Sequence, residues 1–250
     1  HIMWVENTRK VVKLPLIGSL NAISRGNWID YARQLEEAGC DALELNLYAL
    51  ETDIAVDSQQ IEKRILETVQ SVVSEVTIPV SVKLSPWYSS VANIAQAVLN
   101  AGAKGVVLFN RFAQPAIDPE METLKLSIDL SRSEENKMPI RWTAILSSKL
   151  SGDIMVSTGI HTGTDAVKAI LAGAVGVQTV SAVLKNGISH ITKMNSEISD
   201  WMDRKGYTGI EDFRGKLNQK NVPNAHAFER MQYANILMGQ KEEVKTSVSI

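Results

Sequence analysis

One cysteine, Cys40, occurs in 250 residues, which excludes an internal disulfide framework and fits a reducing compartment. The four histidines are scattered without HxxxH or CxxC spacing, so no metal site is expected. A formal net charge of −2 argues against a general nucleic-acid surface. No apolar run reaches membrane-spanning length and no secretory leader is read, so no membrane partner and a cytoplasmic location are expected. No GxGxxG follows a predicted strand, which weakens a dinucleotide-binding open sheet. What remains is a globular composition, 44% hydrophobic and 22% charged, long enough for one large core. Residues 1–3 read as an expression-vector scar, 4–240 as a single domain, and 241–250 as a flexible tail without a core-forming pattern.

The chain is organised around residues 154–184, IMVSTGIHTGTDAVKAILAGAVGVQTVSAVL. An apolar, β-branched run stops at Gly159; Thr162 or Thr164 caps a helix with Asp165 in its first turn; Ala172-Gly173 ends it; a second strand leads to a helix starting at Ser181. Two strand ends beside helix starts gather backbone N–H groups and the positive end of a helix dipole, which suits a phosphate. An ordinary βα turn uses the same residues.

Ala-Gly recurs at Ala38-Gly39, Ala101-Gly102 and Ala172-Gly173, each time closing a helix and leading into a strand. Repeated βα units with near-continuous apolar strands and polar strand ends predict an α/β fold, a TIM (β/α)8-type barrel with its site at the carboxyl rim. A doubly wound open sheet is the competitor. Six core strands are counted, at residues 14–20, 42–47, 78–84, 106–110, 154–158 and 175–180, so about six of eight barrel strands are expected. The other two would come from an upstream segment or a partner chain. Residues 112–150 form an excursion above the rim, with a hairpin and then a helix over 140–150, interrupted by Pro115, Pro119 and Pro139. Helices follow near 190–204 and at 225–238.

Lys83 lies inside the strand VSVKLSP, and a lysine there is costly unless it meets an anion or a strong acceptor. Snorkelling past the strand end is the simpler account. Asn46 and Asn110 end strands, with Glu44 on the face of Asn46, and asparagine suits the amide edge of a planar heterocycle. Capping asparagines would read the same. His161 is equally well an exposed loop histidine, and Cys40 is read as structural.

The motifs ELN at residues 44–46, VKLSP at 82–86, LFN at 108–110 and STGIHTGTDA at 157–166 occur in that order. The chain resembles the FMN-dependent dihydroorotate dehydrogenases. GSLN at 18–21 and FERMQYANIL at 228–237 are similar to a bacterial dihydroorotate dehydrogenase-like subgroup. The resemblance implies a (β/α)8 barrel with FMN across the strand carboxyl ends and a dihydroorotate-like pyrimidine as small-molecule substrate. It implies Lys83 beside the flavin N1 and O2 edge, stabilising the reduced anionic form, with Asn46 and Asn110 contacting flavin and substrate. Gly159, Ile160, Val180 and Ser181 match the backbone sites for the phosphate. Two features depart from the family pattern. Its Cys or Ser base after the ELN strand is replaced by Leu47-Tyr48-Ala49-Leu50, which leaves Tyr48 as the candidate, and its first two strands are not found. A homodimer stays open. The competing functions are a phosphate-binding lyase or isomerase with Lys83 as Schiff-base lysine, and a non-catalytic barrel remnant.

Overall fold

The computed structural model describes residues 1–21, 28–47, 50–125 and 129–229. Six parallel strands form one curled sheet, a half-barrel, and they follow the sequence count. They are β1 (Ile17–Asn21), β2 (Ala42–Asn46), β3 (Val80–Leu84), β4 (Gly105–Leu108), β7 (Asp153–Val156) and β8 (Gly176–Val177). Each pairs with the next in that order, so among the described residues β1 and β8 are the sheet edges. The remaining strands, β5 (Ala116–Asp118) and β6 (Thr123–Lys125), make an antiparallel hairpin in the excursion. Residues 126–128, which follow β6 in the excursion, lie outside the described residues.

Helices α2 (Trp28–Glu37), α3 (Ser58–Glu75), α4 (Val91–Asn100), α5 (Lys137–Leu146) and α6 (Gly163–Ala172) connect these strands. Their starts are set by capping side chains: Asp57 accepts from Gln60 N–H, Ser90 from Asn93 N–H, and Thr162 from Asp165 N–H. The Ala-Gly closures hold as read. Gly39, Gly102 and Gly173 have φ of 105°, 109° and 116°, a region a side chain rarely adopts.

Strand alternation then divides the residues. Leu43, Leu45, Val82 and Leu84 are fully buried with Leu35, Val69, Val72 and Ile94 of the outer helices, forming the main core. A second cluster packs Val156, Ile160, Ala166 and Ala169 with Met194 of α8 (His190–Lys205). The intervening rows, Glu44 and Asn46 on β2 and Lys83 on β3, point to the other face, towards the barrel interior.

Several boundaries differ from expectation. The last strand shrinks from 175–180 to Gly176–Val177, with the Gln178 N–H still bonded to the Val156 carbonyl at 2.8 Å beyond its end. The helix expected over 140–150 spans Lys137–Leu146, and Pro139 sits in its first turn, where the missing N–H costs no hydrogen bond. Residues 2–11 form α1 (Ile2–Val11), whose Arg9 donates to the Gly39 carbonyl at 2.9 Å. The expected tail at 241–250 and most of the helix at 225–238 lie outside the described residues.

Candidate functional site

Parallel register places Asn46 opposite Lys83, and Glu44 opposite Ser81. Lys83 does not snorkel. Its Nζ lies 2.8 Å from Gln178 Oε1 and 3.4 Å from Glu44 Oε1. The Gln178 amide closes the triangle by donating its Nε2–H to Glu44 Oε2. The carboxylate and lysine are 8% and 17% exposed, so the pair is held in a largely dry polar layer. One turn of the sheet higher, Asn110 Nδ2 donates to Asn46 Oδ1 at 2.5 Å. The Asn110 N–H bonds to the Leu84 carbonyl at 2.8 Å, which fixes that side chain at the carboxyl end of β3. Three residues expected at the site therefore lie together.

The turn after β7 is set by steric need. Thr158 and Gly159 both have φ of 76°, and a Cβ on Gly159 would lie 2.4 Å from the Asn136 backbone nitrogen. The excursion presses against this turn: the buried Asn136 donates to the Gly159 carbonyl at 3.2 Å and to Asp165 Oδ1 at 2.9 Å. Asp165 also accepts from Ser133 Oγ and from the His161 and Thr162 N–H groups. Burial pushes its pKa up, but these hydrogen bonds and the Lys168 charge outweigh that and hold the carboxyl below the ordinary aspartate range.

The Gly163 N–H that opens α6 is taken by Glu197, whose Oε2 accepts it at 2.6 Å, and the His161 and Thr162 N–H groups before it are taken by Asp165. Two carboxylates there repel an anion. Gly163 is small so that α8 can approach, since a Cβ would lie 2.5 Å from Glu197 Cβ.

A cavity of about 160 Å³ opens instead between the ends of β3, β7 and β8. Lys83, Asn110, Gly159, Ile160, Val180 and Ser181 line it, whereas Asn46 stands behind Asn110. Sequence reasoning missed Gln178, Thr158 and Ser131, which also line it. A polar Gln in the run GVQTV was the available signal for the first. Tyr48 lies outside the described residues. His161 is half-buried, with Nε2 3.0 Å from Ser131 Oγ. Cys40 is buried at the far end of the strands, and burial pushes its thiol pKa up. Among the described residues no group of three or more His, Cys, Asp or Glu could hold a metal. No helix among them is long and apolar enough to cross a membrane.

A family model described as dihydroorotate dehydrogenase matches residues 2–202. The catalytic subunit of dihydroorotate dehydrogenase B (NAD(+)) from Thermoplasma acidophilum is 31% identical over 211 residues, 80% of this chain and 68% of that protein. Its counterpart from Thermoplasma volcanium is 31% identical over 219 residues, 84% and 70% of the two chains. The chloroplastic dihydropyrimidine dehydrogenase (NADP(+)) of Arabidopsis thaliana is 26% identical over 230 residues, 83% of this chain and 53% of that protein.

Proposed function

From the premise that the chain belongs to the dihydroorotate dehydrogenase family, we propose that it is an FMN-dependent oxidoreductase acting on the CH–CH bond of a dihydroorotate-like dihydropyrimidine. FMN, when bound, supplies the hydride acceptor. The observation that carries the reading is Lys83, a cation held at the carboxyl ends of the strands between Glu44 and Gln178 and lining the cavity. Its ammonium places positive charge where an electron-rich ring edge needs it. Asn110 offers its amide to the cofactor and the pyrimidine from the cavity wall, and Asn46 behind it holds that amide in place. Gly159, Ile160, Val180 and Ser181 border the end suited to the phosphate.

The donor set fits the cofactor: one ammonium, two carboxamides and a hydroxyl on an open rim. The cavity, about 160 Å³, is smaller than the roughly 300–1,000 Å³ that encloses a whole ligand, so it takes part of FMN and leaves the rest over the strand ends. Leu47 and Leu50 carry no proton acceptor, which leaves Tyr48 as the candidate base near β2. Absorbance of the purified protein and identification of the flavin released on heating test the proposal. FMN is expected. Release of FAD, or a protein that stays colourless and binds no added FMN, would overturn it.

A further inference from the structure

Gln178 joins the two charges beside the cavity. Its Oε1 accepts from Lys83 Nζ at 2.8 Å, and its Nε2–H donates to Glu44 Oε2. The amide has one workable orientation. Turned over, it would set N–H against ammonium and oxygen against carboxylate. The backbone on either side is pinned as well. The Gln178 N–H bonds to the Val156 carbonyl at 2.8 Å, and Thr179 Oγ1 donates to the Ile160 carbonyl at 2.7 Å.

The distances show what this amide does to the lysine. An ammonium and a carboxylate left to themselves meet at about 2.7–2.9 Å. Here Lys83 Nζ stands 3.4 Å from Glu44 Oε1 and 2.8 Å from Gln178 Oε1. The amide draws the ammonium off the carboxylate. It also gives the buried Glu44 a donor of its own, which compensates the longer ionic contact. An ammonium carries three N–H groups on a flexible stem. Two are directed at Glu44 and Gln178, so tetrahedral geometry fixes the direction of the third, which has no partner among the described residues. Lys83 and Gln178 both line the cavity. The lysine thereby becomes a directional donor set before any ligand arrives.

We propose that Gln178 is a positioning residue: it keeps the Lys83 ammonium from collapsing onto Glu44 and aims the remaining N–H at the electron-rich edge of the ligand. That this edge belongs to a flavin rests on the reading above; the placement of Lys83 does not.

FMN titration of the full chain and sulfite titration of the FMN-loaded protein test this. Sulfite adds to the flavin ring through its sulfur lone pair; no group leaves, and the ring takes up the negative charge. Its affinity therefore reads the cation beside the ring without turnover. Gln178→Met leaves the Glu44–Lys83 pair in place and so keeps the fold. It should lower sulfite affinity by about tenfold, the value of one hydrogen bond to a charged group, while affinity for oxidised FMN stays within about twofold. Equal losses of both affinities, or an unchanged sulfite affinity, would overturn the proposal. Crystal structures of wild type and variant without flavin supply a second readout. In the variant Lys83 Nζ should move to within about 2.9 Å of Glu44; an ammonium that stays where wild type holds it overturns the proposal. If wild type binds no FMN, the cofactor reading fails and this distance alone decides.

Discussion

Replacing Lys83 by methionine keeps the length of the stem and removes the charge. In the folded protein this strands the Glu44 carboxylate, 8% exposed, with the Gln178 amide as its remaining donor. At 3.4 Å and an effective dielectric near 20 the lost attraction is about 5 kcal/mol gross. Desolvation of both ions offsets much of that in the intact pair, so the net cost reflects the uncompensated carboxylate, about 3–5 kcal/mol. Out of a typical total of about 5–15 kcal/mol, the variant still folds in the absence of denaturant. Urea unfolding followed by circular dichroism at neutral pH measures the loss. The double variant Lys83→Met, Glu44→Gln removes the stranded charge and should recover at least half of it. A single-variant loss under about 1 kcal/mol, the value of a surface pair, would refute the reasoning. So would a double variant no more stable than the single one.

The same Lys83→Met protein, loaded with FMN, should show flavin reduction slowed by roughly 100-fold in stopped-flow mixing, the scale of one lost charge stabiliser; unchanged kinetics would remove Lys83 from the chemistry. Because Asp165 has its pKa held low in the folded state, its contribution is present above the ordinary aspartate value of 3.8 and is lost as pH falls through the lower folded value. Asp165→Asn should therefore destabilise the protein at neutral pH by about 1–3 kcal/mol, with a gap from wild type that narrows below pH 3.8; a constant gap down to pH 2 contradicts this. Gly159→Ala forces a Cβ to 2.4 Å from Asn136 N at a φ of 76°, and should lower the melting temperature and weaken flavin binding together. With Leu47 and Leu50 in place of an acid–base side chain, dihydroorotate oxidation should be weak or absent; robust turnover that survives Tyr48→Phe points to a base elsewhere.

The strands and their order were legible because near-continuous apolar runs recur, three of them directly after Ala-Gly closures, a signal local to each unit. Lys83, Asn46 and Asn110 stood out for the same reason, as polar residues in apolar strands. The partners of Lys83 were less legible. Glu44 was placed on the right face by alternation, but Gln178 follows a strand of two residues and meets Glu44 across 134 positions of sequence. The commitment of the Gly163 N–H at the start of α6 rests on a contact of that kind. The Thr162 and Asp165 capping box is readable as a pattern, whereas Glu197 reaches Gly163 from a helix 34 residues later. Ser131 carried no pattern at all, since its place in the cavity wall comes from the segments packed around it.

The 134-residue separation of Glu44 and Gln178 also bears on the order of folding. Pairings between neighbouring strands β1 to β4 close comparatively short loops, whereas this bridge spans more than half the chain and is entropically the more expensive to close. During synthesis, β2 and β3 can pair well before Gln178 leaves the ribosome. The Lys83 ammonium then faces Glu44 without the amide that joins them. A chain arrested after β4 should hold native-like strand pairs and still lack the finished cradle, which would make flavin binding a late signal of completed folding.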